Sequence, residues 1–399
     1  MRGNPLVNYY DCVYTDFMAN DIFNNAKKLG FGLMRLPLNN PDNAGDIDIQ
    51  QVCKMADLFL ERGFTYFDTA LMYCGASSES AVKKVLVERH PRDKFTLATK
   101  LHHNYVSAPS DCEKVFAGQL ERTGAGYFDY YLIHDINVHS IDVYDRLDVF
   151  GFVQKKKAEG LVRHVGFSFH DGPELLDKVL TEHPEMEFVQ IQLNYFDYEN
   201  PGVRSRECYE VCLKHNKPII IMEPVKGGTL VNVGSEVENL YKSYNPNASV
   251  ASWAIRFAAS HKNVAMVLSG MGSVAQVEDN TSFMQDFKPL TDDENAVIKK
   301  AVDLLNTKKS VPCTGCSYCT EGCPAHIAIP RYFALLNADL AQDPEGKQGW
   351  TVQQEYYANL HKSFGKASDC VKCGQCEEIC PQHLKVMDFL EDVAARFEK

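Results

Sequence analysis

Cysteine crowding near the end of the chain restricts its fold more than any other feature. Of fourteen cysteines, eight fall between Cys313 and Cys380, and the residues before them carry only Cys12, Cys53, Cys74, Cys112, Cys208 and Cys212. The eight form a duplicated motif, Cys313-x2-Cys316-x2-Cys319-x3-Cys323-Pro324 and then Cys370-x2-Cys373-x2-Cys376-x3-Cys380-Pro381. Spacings of two, two and three residues let three thiolates wrap one iron-sulfur cube while the fourth, held at a proline turn, points elsewhere. Structural zinc normally uses two separated cysteine pairs, and a chance recurrence with both prolines is negligible. Ligation of two 4Fe–4S clusters is therefore preferred over zinc or unrelated buried thiols, and over a disulfide scaffold.

The chain has 399 residues and a formal charge of −12, with 45% hydrophobic and 24% charged residues. That length allows two or three compact units with at least one large core, and that apolar content excludes a chain that stays unfolded. The acidic balance argues against nucleic acid as a partner; the one compact basic run, Lys155-Lys156-Lys157, is expected to be a solvated helix face. No uncharged apolar stretch approaches the ~20 residues of a membrane span, and Asp11 and Asp16 stand where an export signal would carry its apolar core. A soluble, cytoplasmic protein is expected.

From about Lys28 to Asp286, short β-branched or aromatic runs alternate with longer amphipathic stretches. Eight strands are predicted, at Leu29–Leu36, Thr65–Thr69, Phe95–Thr99, Tyr130–Ile133, Val165–Ser168, Val189–Leu193, Ile219–Met222 and Ala265–Ser269. Helices are predicted between them at Ile49–Glu61, Ser78–Glu88, Cys112–Arg122, Tyr144–Ala158, Glu174–Thr181, Arg204–His215 and Val250–Ser260. The fold class expected is α/β, a (β/α)8 TIM barrel, although counting alone leaves an open doubly wound sheet possible. Residues 1–27 read as an N-terminal extension, 28–288 as the barrel, 289–310 as a connecting helix and 311–399 as a smaller, mainly α cluster domain with helices at Ile329–Ala341 and Gln353–Phe364.

The tandem cysteine motif resembles the ferredoxin fold family, and its long helical insert resembles the α-helical dicluster ferredoxin domains of larger oxidoreductases. The resemblance covers about Val311 to Lys385 and implies crossed ligation, with Cys313, Cys316, Cys319 and Cys380 on one cluster and Cys370, Cys373, Cys376 and Cys323 on the other.

Polar residues recur at the C-terminal ends of the predicted strands, where active sites of such barrels sit. They are Asp68 and Tyr73 after the second strand, Lys100 after the third, His134 after the fourth, Ser168 after the fifth and Gln190 on the sixth. A tyrosine hydroxyl is a poor proton donor near neutral pH unless tuned; a nearby lysine would lower its pKa, and a carboxylate would hold that lysine. Singly, each residue has a structural explanation: Asp68 as a helix cap, Tyr73 as a core ring, Lys100 as a strand-end charge, His134 as a satisfied imidazole. His102 and His103 are expected to be solvated loop residues, Cys208 and Cys212 buried thiols, and His170, Asp171, Asn194 and Tyr198 candidates for the pocket wall.

Together, Phe67-Asp68-Thr69-Ala70-x2-Tyr73, Ala98-Thr99-Lys100, Tyr131-Leu132-Ile133-His134 and Gly160-x-Val162-Arg163-x-Val165-Gly166-x-Ser168 resemble the signatures of the aldo-keto reductase superfamily over about Lys28 to Phe287. The resemblance implies a nicotinamide nucleotide, NAD(P)(H), across the barrel mouth and a small carbonyl or alcohol substrate. Tyr73 would be the general acid-base, Lys100 and Asp68 its tuning pair and His134 the carbonyl orienter. Ser168 and Gln190 would bind the carboxamide, Gly227 and Gly228 the pyrophosphate, and Ser269, Gly270, Gln276 and Asn280 the adenosine end, with Gly32 and Met222 also in the cofactor cleft. This chain departs from the family at Phe169, where asparagine is usual, at Met222, where an aromatic ring is usual, and at Gly270, Met271 and Gln276, where basic residues commonly grip a 2′-phosphate. The choice between NAD and NADP stays open.

Hydride chemistry moves two electrons and an iron-sulfur cube one, so direct exchange needs a mediator such as a flavin, for which no motif is evident. The reading preferred is an oxidoreductase whose clusters accompany it or link it to a redox-partner protein. The alternatives are an electron-transfer protein with the barrel as a docking or flavin module, and a redox-neutral isomerase or epimerase that keeps its nucleotide bound.

Overall fold

A computed structural model describes residues 22, 23, 26–306, 311–313, 315, 317–347, 349–380, 382 and 384–398. Cys316, Pro381 and nearly all of the expected N-terminal extension lie outside the described residues. Eight parallel strands close into a barrel in chain order: β1 Leu29–Gly32, β2 Tyr66–Asp68, β3 Thr96–His102, β4 Phe128–Ile136, β5 Val162–Phe169, β6 Phe188–Gln192, β7 Ile219–Met222 and β8 Val264–Ser269. Closure settles the barrel against the open sheet. The strands are apolar on both faces because one faces the barrel lumen and the other the surrounding helices.

Two layers of core result. Between strands and helices lies a continuous apolar shell that includes Phe31, Phe59, Phe67, Tyr131, Val165, Ile221 and Trp253. At the N-terminal end of the lumen Phe23 packs with Tyr66, Tyr130, Phe188 and Met266, its ring stacked 5.0 Å from that of Tyr130. The helix Asp292–Asn306 belongs to the barrel as much as to the connection, since Val297, Ile298 and Ala301 enter the shell and Glu294 pairs with Arg256 at 2.6 Å.

Several local readings change. β3 and β4 run past their predicted ends, so Lys100 and His134 lie within strands. The expected helix Tyr144–Ala158 is two helices, Ile141–Arg146 and Val149–Ala158, because Asp148 at φ +52° breaks the chain and its carboxylate caps Gly151. Lys156 is buried rather than solvated: its ammonium pairs with Glu113 at 2.6 Å and Glu159 at 2.8 Å and lies 5.4 Å from the centres of the Phe116 and Phe152 rings. Helices at Ser235–Tyr244, Val274–Met284 and Val386–Phe397 escaped the sequence reading.

Residues from Val311 onward form a helical domain with its own core, in which Tyr332, Phe333, Leu335, Leu336, Tyr357, Leu390 and Val393 pack with Val203 of the barrel. It sits on the C-terminal mouth of the barrel: Leu335 packs over Gly202, and Gln342 lies over Gly227.

Close strand approach fixes one position in particular. A Cβ on Gly166 would stand 2.5 Å from the Phe188 carbonyl oxygen. Gly166→Ala is expected to cost about 1–3 kcal/mol through forced separation of β5 and β6, measurable as a lower urea midpoint at unchanged slope.

Candidate functional site

Register places the polar groups. Parallel pairing sets Gly32 beside Asp68, Asp68 beside Ala98, and Ser168 beside Gln190, so the strand ends present their side chains at one rim. Lys100 is buried; its ammonium donates to Asp68 Oδ1 at 2.5 Å and to the Thr69 carbonyl at 2.9 Å. That ammonium lies 4.8 Å from the centre of the Tyr73 ring, which rides on the first turn after β2. His134 meets Tyr73 edge-on at 6.0 Å, and the Tyr144 hydroxyl, donating to the His134 carbonyl and accepting the His103 N–H, pins the β3 and β4 ends together. The four expected catalytic residues thus converge.

Their protonation follows from burial and charge. Burial pulls Lys100 down, but Asp68 and Tyr73 together raise it, so it stays an ammonium. Tyr73 differs from the sequence expectation: burial raises the phenol more than Lys100 lowers it, so the net shift is upward and the hydroxyl keeps its proton. His134 is pushed well below the ordinary imidazole range by burial and then by Lys100, and is neutral.

Around these four lies a histidine-rich shell. The bulge between Ile133 and Ile136, with Asp135 at φ +60°, turns the Asp135 carboxylate toward His102. His102 is buried, not solvated as expected, and its ring lies edge-on to His134 at 5.1 Å and stacked on His103 at 4.3 Å. Ring nitrogens of both and an oxygen of Asp135 fall within 4.8 Å of one another, a spread a metal could span. His102 Nδ1, however, accepts the Asn104 N–H, so Nε2 carries the proton and faces Asp135 Oδ2 at 3.7 Å, the arrangement of an imidazole–carboxylate pair.

The expected cofactor residues fall at neighbouring strand ends and the loops that follow them. Ser168 accepts the Asp135 N–H at 2.8 Å, and Gln190 donates to the Met222 sulfur at 3.5 Å while its Oε1 is buried without a partner. Gly32 backs onto Ser269 and Gly270; Asn280 donates to Ser269, and Gln276 accepts the Gly272 N–H. Gly227 and Gly228 take φ of +61° and +103° in a loop anchored by the buried Lys226–Asp197 pair at 2.8 Å. Arg35, after β1, pairs with Glu223, after β7, at 3.0 Å. Glu223 and Lys226 belong to the segment Glu223–Gly228 that resembles the pyrophosphate loop, whereas Asp197, Arg35, Asp135 and Tyr144 were missed, since ordinary charged or aromatic residues without motif spacing give no sequence signal.

In the helical domain the cysteines converge across the two motifs. Cys313, Cys319 and Cys380 line one cavity, and Cys323, Cys370, Cys373 and Cys376 line another, with Ile329 on the wall of both. Cys208 and Cys212 are buried thiols, as expected.

These features agree with comparison to known proteins. The aldo/keto reductase family model matches residues 28–303, and a 4Fe-4S dicluster domain matches 312–384. The chain belongs to the aldo-keto reductase family and carries a dicluster iron-sulfur domain. It is 25% identical over 252 residues to L-galactose dehydrogenase of Arabidopsis thaliana, covering 59% of this chain and 78% of that protein. Among solved structures, an aldo-keto reductase from Bacillus halodurans in its holo form aligns with a TM-score of 0.56 at 24% identity, covering 69% of this chain and 91% of that one. An aldo-keto reductase from Klebsiella pneumoniae in complex with NADPH aligns at 0.54 and 19%, covering 69% and 90%. These likenesses establish a shared fold. No helix among the described residues is long and apolar enough to cross a membrane.

Among the described residues, Lys100 is the one charge that offsets the burial of Asp68. Lys100→Met is expected to destabilise by about 3–5 kcal/mol at neutral pH, with much of the loss recovered when Asp68→Leu is added, a coupling that urea unfolding of the double-mutant cycle measures.

Proposed function

We propose that this chain is a nicotinamide-dependent oxidoreductase that interconverts a carbonyl and an alcohol at Tyr73, Lys100, Asp68 and His134. The observation that carries the reading is the buried Lys100 ammonium, tied to Asp68 and lying beside the Tyr73 ring, which His134 meets edge-on. A bound nicotinamide nucleotide supplies the hydride. Gln190 Oε1, a buried acceptor without a partner, suits the carboxamide N–H, and Ser168, already accepting from Asp135, retains its hydroxyl proton to donate. Gly227 and Gly228 would hold the pyrophosphate on a loop braced by Lys226–Asp197, with Arg35–Glu223 across it. The NADPH complex of the Klebsiella protein supports the cofactor class.

Neutral His134 would donate to the substrate oxygen and orient it. Tyr73 would then give its proton to that oxygen as charge develops, while Lys100 stabilises the phenolate left behind. Burial keeps Tyr73 protonated and His134 neutral through the range about pH 6–9, which is the pair of states that reduction needs. In the second domain Cys313, Cys316, Cys319 and Cys380 would hold one 4Fe–4S cluster and Cys323, Cys370, Cys373 and Cys376 the other, giving one-electron exchange with a redox-partner protein.

Tyr73→Phe is expected to lower carbonyl reduction by about 10²–10⁴-fold with nucleotide affinity intact, read from steady-state rates and calorimetry with NADH and NADPH. Wild-type turnover in the variant would refute the assignment. Cys323→Ser tests the crossing: although it lies in the first motif, it should disturb the cluster held by Cys370, Cys373 and Cys376, leaving the spectrum and iron content of the other.

A further inference from the structure

The helix Val352–Leu360 of the cluster domain lies against the barrel loops that follow β4 and β5. Asn359 donates to the His170 carbonyl at 2.8 Å, His139 meets the Ala358 carbonyl at 2.9 Å, and Asn137 donates to Glu355 Oε1 at 3.2 Å. The last contact continues inward. The same Asn137 amide nitrogen donates to Asp135 Oδ1 at 3.1 Å, while its oxygen accepts the His139 and Ser140 N–H groups, so every polar atom of this buried side chain is used. Asp135 Oδ2 in turn faces His102 Nε2, and the His102 ring abuts His134.

We propose that Glu355 is a positioning residue that the cluster domain contributes to the carbonyl site, acting through Asn137 and Asp135 to hold His102 against His134. The inference rests on the reading of His134 as the carbonyl orienter. The single Asn137 amino group is shared by two carboxylates from different domains, so its orientation, and that of Asp135, depends on the domain being docked. Removing the Glu355 acceptor frees one Asn137 proton and lets the amide and the Asp135 carboxylate turn. Among the described residues the His102 ring is held by the Asn104 N–H, by Asp135 and by stacking on His103, and His134 Nδ1 makes no hydrogen bond, so displacement of Asp135 passes through His102 to the orienting imidazole.

The charges facing Glu355 add a second signature. Asp135 from β4 and Asp171 from the loop after β5 are both acidic; the basic groups near them are His102 at the end of β3, His139 and His170 in the loops after β4 and β5, Arg331 beside Asp171, and Lys362, which donates to the Val138 carbonyl. Arg396, in the same groove on the domain side, is committed to Asp339 and Asp343. Burial first, then Asp135 and Asp171, push the Glu355 carboxyl up to about 7. It is neutral below that pH and charged above it. Because Tyr73 and His134 are shifted away from neutrality in opposite directions, an inflection in the rate near pH 7 that Glu355→Gln abolishes reports Glu355 rather than the residues at the reacting carbonyl.

The test uses full-length, cluster-loaded protein with a small aldehyde and saturating nucleotide. Glu355→Ala is expected to lower kcat about tenfold, the scale of a slightly misplaced catalytic group, with nucleotide Kd within about twofold and iron content unchanged. Glu355→Gln keeps an oxygen for Asn137, so it should restore kcat to within about twofold and abolish the inflection near pH 7. Wild-type kcat in the alanine variant, or an unaltered pH profile in the glutamine variant, overturns the inference. If Glu355→Ala loses iron or fails to fold, the glutamine pH profile decides alone. Absence of any carbonyl turnover in the wild type would instead refute the reading on which the inference rests.

Discussion

A buried ammonium bound to a buried carboxylate is the constraint on which this structure turns. Each ion alone would lose several kcal/mol of hydration at the rim of an apolar barrel, so Lys100 and Asp68 are tolerable only as a pair with further hydrogen bonds. The parallel register of β2 and β3 provides that pairing, and the Thr69 carbonyl takes a second ammonium proton. With the ion pair in place, the Tyr73 ring lies beside a fixed positive charge and His134 is driven neutral opposite it. Parallel pairing of β4 with β3, and not any local preference, brings His134 close enough for the last of these contacts.

The same rim carries the second domain. Leu335 over Gly202, Gln342 over Gly227 and the helix Val352–Leu360 over the β4 and β5 loops cover ground where barrels of this kind place loops that define their substrates. Contacts between the domains mix an apolar seat around Val203 with several bonds to loop backbone. Seating of this sort ties loop conformation to the folding of a domain organised around metal clusters. Hydride and single-electron chemistry still differ in electron count, so proximity alone does not connect the two modules.

Much of this was readable from residue order. Periodicity and β-branched runs located the strands, because a strand buried on both faces needs uninterrupted apolar sequence. The cysteine spacing located both cluster sites, because ligation geometry demands fixed local intervals. Individual side chains were less legible. Lys156 looked solvated in a lysine run until Glu113 and Glu159 closed over it, and the adjacent histidines looked like loop residues until Asp135 turned back to His102. The break at Asp148 was hidden because its cap is a single polar residue within an amphipathic pattern. Tyr73 was expected to be lowered by Lys100; the depth of its burial, which depends on neighbours far along the chain, reversed the net direction.

What residue order determined by itself is therefore local or periodic: eight strands, most of their intervening helices, two cysteine motifs, and the types of side chain at the strand ends. Tertiary structure decided how those side chains stand to one another. It placed cysteines of one motif with those of the other, since Cys380 joins Cys313 and Cys319 while Cys323 joins Cys370, Cys373 and Cys376. It also set Glu355 and Asn137, far apart in the chain, within hydrogen-bonding distance. Electrostatic environment is a property of all the charges and apolar atoms around a group, and those neighbours exist only once the barrel is closed and the second domain has docked.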